Sequence, residues 1–152
     1  MASTKMLENV QVLHISKDRK EDVLEELSNA AIAKGYAKPN YHKAILEREA
    51  KYPTGLHVPD IGVAIPHADA EWANESSLTI GVMDHPVKFK PMDGLGGDVN
   101  VEIIFMLTIQ DPKEQIDFLR AFSSVLGTPD VLLEFKKTGD YHKLIEKIRS
   151  KM

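Results

Sequence analysis

Apolar and polar positions alternate along this chain with two different periods. Val10-Gln11-Val12-Leu13-His14-Ile15 alternates with period two, Val10, Val12 and His14 sharing one side, and predicts a strand. Val23, Leu24, Leu27, Ala30, Ala31 and Ala33 then recur at helical spacing, with Ser16 or Asp18 as candidate caps and Gly35 as the stop. A second helix is predicted after Pro39-Asn40. Tyr41 and Ile45 lie one turn apart on its buried face, and Arg48 sits at the edge of that face. Pro53-Thr54-Gly55 reads as a turn, and Val63-Ala64-Ile65 as a short buried strand ended by Pro66. Residues 78–83 form a strand, Asp84-His85-Pro86 a turn, and Val87-Lys88-Phe89-Lys90 a short edge strand guarded by lysines. Residues 99–109 are the most apolar run, and their continuity predicts a central strand covered on both faces.

Three helices complete the pattern. Asp111 caps the first, with Pro112 at its opening position; Ile116, Leu119, Phe122, Ser123 and Leu126 form its buried stripe, and Gly127 ends it. A short helix follows Thr128-Pro129, and a last one carries Tyr141, Leu144, Ile145 and Ile148. Residues 1–8 read as a loose terminus. Helices before and after a cluster of strands define an α/β chain, a mixed sheet with helices on both faces.

The totals sharpen this picture. A length of 152 residues suits a single domain over 1–152, and 43% hydrophobic with 28% charged residues gives one ordinary core. There is no apolar run of membrane-spanning length and no signal-peptide pattern, which predicts a cytoplasmic protein without direct membrane insertion. The absence of cysteine removes disulfides, thiolate metal sites and cysteine nucleophiles. A net charge of -4 argues against nucleic acid as a partner. Gly94-Leu95-Gly96-Gly97 precedes a strand rather than a helix, so it is no dinucleotide fingerprint, and no phosphate-binding Gly-Lys-Ser/Thr loop exists. No cofactor is expected.

Three residues carry candidate chemistry at element ends: Arg48 near a helix end, Thr54 in a turn, and His67 just past a strand. Neutral imidazole is a nucleophile near pH 7, and a phosphoryl group on it needs positive charge and N–H donors around its oxygens. Arginine meets that need through its planar fork of donors. Spacing alone leaves plainer roles open: His67 as a surface or capping residue, Arg48 as a helix-end cation, and Thr54 as a hydroxyl bonding its own turn. Asp69, two residues on, is placed to orient the imidazole through its other N–H. A metal-assisted hydrolase using His67, Asp69 and His57 or His85 is a second reading, weakened by the scatter of the six histidines over separate elements.

Arg48-Glu49-Ala50-Lys51-Tyr52-Pro53-Thr54-Gly55, followed by Val63-Ala64-Ile65-Pro66-His67, resembles the signature of the IIA proteins of the sugar phosphotransferase system. The branch is the mannitol/fructose one, and the Tyr-Pro-Thr-Gly form is most similar to galactitol-type members. The resemblance covers roughly residues 10–148. It implies an α/β sandwich about a mixed five-stranded sheet. It also implies that His67 carries a phosphoryl group and that Arg48 neutralises it. The implied partners are the phosphocarrier HPr as donor, the cysteine of a IIB component as acceptor and, indirectly, the IIC membrane permease. Galactitol is the implied sugar. A regulatory IIA-like protein, whose phosphorylation controls partner binding, is the alternative within the family. One departure stands out. Mannitol- and nitrogen-type members carry a second histidine in the helix after the last strand, and in the run Glu114-Gln115-Ile116-Asp117-Phe118-Leu119 that place is read as Ile116.

Overall fold

The computed structural model describes residues 5–152. Five strands form one mixed sheet in the order β1-β4-β5-β3-β2, where β1 is Val10–Ile15, β2 Gly55–Leu56, β3 Gly62–Ala64, β4 Ser77–Phe89 and β5 Val99–Thr108. β1 runs parallel to β4, β4 antiparallel to β5, β5 parallel to β3, and β3 antiparallel to β2.

The central position of β5 follows from its sequence. Ile103, Phe105 and Leu107 face one core, while Ile104 and Met106 face the other. Helices α3 (Pro112–Leu126), α4 (Asp130–Thr138) and α5 (His142–Lys151) cover the first face. Helices α1 (Lys20–Ala33) and α2 (Tyr41–Lys51) cover the second. The mixed sheet with helices on both faces is therefore as the sequence predicts.

Several expectations need correction. The predicted strands at 78–83 and 87–90 are one strand, β4, whose register against β5 shifts between Val82 and Val87. The residues between them look like a turn but are an irregular, exposed stretch of that strand. The fifth strand is instead β2, two residues long. Ser16 and Asp18 do not cap α1, whose N-cap is Arg19. Ser16 donates to Asp84, and Asp18 pairs with His85 at 2.6 Å, so both side chains tie the β1–α1 connection to the irregular part of β4. Of the loose terminus expected over 1–8, residues 1–4 lie outside the described ones; Lys5–Leu7 form a 3-10 turn with Met6 and Leu7 buried. The buried stripe of α3 is Glu114, Phe118, Ala121, Phe122 and Val125. Ile116 is 59% exposed.

β3 and β5 are parallel, so their C-terminal ends emerge on the same side of the sheet. His67 lies just beyond β3 and forms a parallel bridge with Leu107 near the end of β5. The chain leaving β5 turns straight into α3. Crevices beyond the carboxyl ends of strands are where open α/β sheets place their sites.

Candidate functional site: His67 at the end of the sheet

Pro66 has no N–H to continue the ladder, so β3 stops and its neighbours hold the following residues. The Leu107 N–H donates to the Pro66 carbonyl oxygen at 3.0 Å. The Tyr41 hydroxyl, fully buried in α2, donates to the Leu107 carbonyl oxygen at 2.6 Å. The backbone under His67 is thus linked to both the central strand and the second helix.

The imidazole is itself held. His67 Nδ1 lies 2.9 Å from the Ile65 carbonyl oxygen. A carbonyl can only accept, so Nδ1 carries the hydrogen and Nε2 presents its lone pair. The side-chain amide N–H of Gln115, on the first turn of α3, donates to that Nε2 at 3.1 Å. Burial is the main influence on the ring and lowers its pKa below the ordinary histidine value. The Ile65 carbonyl opposes this, the Arg48 charge adds to it, and the Asp69 charge opposes it. The net result is a neutral imidazole near pH 7, the nucleophilic form.

Arg48 and Thr54 line one cavity of about 350 Å³ together with His67, Lys51, Tyr52, Pro53 and Met92. The three candidates that the sequence singled out therefore converge. Arg48 donates from Nη1 to Asp69 Oδ1 at 3.1 Å, and its guanidinium lies 5.3 Å from the centre of the Tyr52 ring. Its Nε is buried and finds no acceptor among the described residues. A buried polar group without a partner is costly, so this N–H is a strained point of the Arg48 side chain. Lys51 adds a second cation to the same wall.

Thr54 sits at the cavity wall with its hydroxyl proton directed away from it. The hydroxyl and the backbone N–H of Thr54 both donate to the Glu49 carboxylate, each at 2.8 Å. Glu49 is buried, and desolvation pushes its carboxyl up to about 7 against the lowering effect of those two hydrogen bonds.

Other sequence expectations fall differently. Asp69 does not take the second N–H of His67; the Ile65 carbonyl does, and Asp69 pairs with Arg48. His57 faces the Gly97 carbonyl oxygen and His85 pairs with Asp18, so neither joins His67. Among the described residues no three His, Asp or Glu side chains cluster as metal ligands. Ile116 points to solvent, and Gln115 is the residue of that run that reaches His67. Gln115 and Glu49 are site residues that sequence reasoning missed. The one available signal was their adjacency to residues already singled out, Ile116 and Arg48.

Comparison with solved structures bears on the fold. The fold matches the crystal structure of IIA mannitol from Escherichia coli with a TM-score of 0.70 and 20% identity, covering 93% of this chain and 96% of that one. It matches the complex of enzyme IIA mannitol with phosphorylated enzyme IIB mannitol from Escherichia coli with a TM-score of 0.72 and 19% identity, covering 94% of this chain and 95% of that one. In sequence, the chain is 32% identical over 115 residues to the galactitol-specific EIIA component of the phosphotransferase system of Escherichia coli K12, covering 76% of this chain and 75% of that protein. The profile of the phosphoenolpyruvate-dependent sugar phosphotransferase system EIIA 2 family matches residues 6–151, and the chain belongs to that family of phosphotransferase components. Among the described residues no helix is long and apolar enough to cross a membrane.

Proposed function

We propose that this protein is a phosphohistidine carrier, in which His67 Nε2 receives a phosphoryl group from phosphorylated HPr and passes it to a cysteine of a cognate IIB component. The observation that carries this reading is the imidazole itself. Its Nδ1–H is fixed on the Ile65 carbonyl, so the nucleophilic nitrogen is Nε2, beside a cavity walled by Arg48 and Lys51.

The transfer is a displacement at phosphorus. The Nε2 lone pair of neutral His67 forms the new N–P bond as the donor's N–P bond breaks, and that electron pair returns to the donor imidazole. His67 becomes an N-phosphoryl imidazolium that keeps its Nδ1 hydrogen, so no net proton moves. The Ile65 carbonyl then stabilises the charged ring. Arg48, which lines the same cavity, supplies guanidinium donors to the phosphoryl oxygens. In the second half a thiolate attacks phosphorus, the N–P bond breaks, and its electron pair restores the Nε2 lone pair. Thr54, held by Glu49, shapes the wall of the cavity that His67 also lines.

Both transfers require other proteins to reach this nitrogen. Exposed Tyr52 and Met92 on the cavity wall, and exposed Ile116 beside Gln115, give the site an apolar rim suited to transient docking. The relation to the galactitol-specific component supports galactitol as the sugar, taken up through a IIC permease. The relation in fold to the IIA–phosphorylated IIB mannitol complex supports a IIB acceptor. We place the reaction in the cytoplasm and assign the carrier role to one EIIA domain over residues 1–152, with no cofactor required.

The test is incubation with phosphoenolpyruvate, enzyme I and HPr, followed by intact mass. Wild type gains one acid-labile phosphate, His67→Ala gains none, and Arg48→Ala gains it slowly. An unphosphorylated wild type in the presence of phosphorylated HPr would overturn the reading.

A further inference from the structure

Gln115 occupies a position that the carrier reading leaves unexplained. Its amide N–H donates into the one lone pair that must attack phosphorus. The nucleophile is therefore hydrogen-bonded in this state, and phosphorus has to approach along the same direction. The amide cannot stay where it is during transfer.

The backbone under Gln115 is well anchored. The preceding residue, Glu114, is buried and accepts a hydrogen bond from Ser76, just before β4. Ser76 Oγ in turn accepts from the Gln110 N–H at 3.2 Å. The Asp111 cap accepts from the Lys113 N–H at 3.0 Å, and the Gln115 N–H reaches the Asp111 carbonyl. The Gln115 side chain is half-buried and can turn about its own side-chain torsions while this backbone stays in place. An amide displaced from a nitrogen lone pair by a phosphoryl group has the phosphoryl oxygens as its nearest new acceptors.

From this geometry, and resting on the carrier reading above, we propose that Gln115 is a catalytic residue: its amide N–H caps the His67 Nε2 lone pair in the unphosphorylated protein and moves to a phosphoryl oxygen as the N–P bond forms. The cap holds the ring in its attacking tautomer, because an Nε2–H would face the donating amide. The relocated donor spreads phosphoryl charge together with Arg48, from the opposite, helix α3 side. Ile116, read from sequence as standing at the place of a second site residue, has no such reach.

The test uses Gln115→Glu, which is isosteric and turns the donor into an acceptor, and Gln115→Leu, which removes polarity. The first readout is the titration and tautomer of His67 by 15N NMR on unphosphorylated protein, where Arg48 and Asp69 remain as the other nearby charges. Gln115→Glu is expected to raise the His67 pKa and to populate the Nε2–H form. The second readout is single-turnover transfer from HPr phosphorylated by enzyme I and phosphoenolpyruvate. Both variants are expected to transfer on the order of 100- to 1,000-fold more slowly, the scale of losing one charge-stabilising donor. Wild-type transfer by Gln115→Glu, or an unchanged His67 titration in it, overturns the proposal. A wild type that takes no phosphate on His67 overturns the carrier reading and with it the phosphoryl half of this proposal, while the titration still decides whether the amide caps Nε2.

Discussion

The Glu49 carboxylate accepts two hydrogen bonds from Thr54, one from the backbone N–H and one from the hydroxyl, both at 2.8 Å. The pair fastens the end of α2 to the turn that follows it, so the residue after Arg48 holds a wall of the cavity that His67 lines. Burial keeps the folded-state carboxyl protonated up to about 7, against an ordinary 4.5. Between those values the folded protein binds more protons than the unfolded chain, so stability is lost as pH rises through that window. The destabilisation is absent below about 4.5 and complete above about 7. Glu49→Gln has no such titration and keeps one acceptor and one donor for Thr54. Urea unfolding at pH 5 and pH 8 should show the wild type losing stability relative to Glu49→Gln at the higher pH; parallel pH dependences would contradict the assignment.

Tyr41 links α2 to the strand beneath His67. Tyr41→Phe removes the hydroxyl that donates to the Leu107 carbonyl and leaves the ring in place. The expected cost is about 1–3 kcal/mol, the range for orphaning a buried acceptor. Denaturant unfolding measures it, and an unchanged midpoint would show that this contact contributes nothing.

Gly62 opens β3 opposite Val101 of β5. A Cβ placed there would lie 2.2 Å from the Asn100 carbonyl oxygen, a backbone atom that cannot move aside cheaply. Gly62→Ala should destabilise the protein by several kcal/mol, as overpacking of a tight contact does at its upper end, and should shift the NMR signals of His67. A variant with wild-type melting behaviour would show that β3 and β5 separate more easily than their register implies.

The Arg48–Asp69 pair is mostly exposed on the Asp69 side, whose side chain is 70% accessible. Asp69→Asn should therefore change stability by less than about 1 kcal/mol. Its effect belongs to the site: with the Asp69 charge gone, His67 loses an influence that raises its pKa. A lower His67 pKa, read by NMR titration, is the expected outcome; a rise would mean that the freed guanidinium moves away from the ring.

Much of this was legible because the residues concerned obey strong local rules. Asp111 before Pro112, Gly35 after α1 and the unbroken apolar run of β5 each name an element boundary or a burial state. The two-part motif brought Arg48, Thr54 and His67 to one cavity because α2 and β3 both end at the same side of the sheet. What escaped depends on tertiary partners. β2 has two residues and no period of its own; it is a strand because Ala64 and Val63 pair with it. Asp84-His85-Pro86 has turn composition, yet it stays within β4, where Ser16 and Asp18 bind its side chains. Gln115 could not be told from Ile116 by spacing, since a shift of one residue rotates a helix by about 100° and only packing of Glu114 and Phe118 sets which one faces inward.

The claim on which the rest depends is that Nε2 of His67 is the nitrogen that carries phosphate. Long-range 1H–15N correlation on the 15N-labelled phosphoprotein reads this directly, with 31P coupling marking the substituted nitrogen. Phosphorus is expected on Nε2, with a retained hydrogen on Nδ1 protected by the Ile65 carbonyl. Phosphorus on Nδ1, or on any residue other than His67, would contradict it.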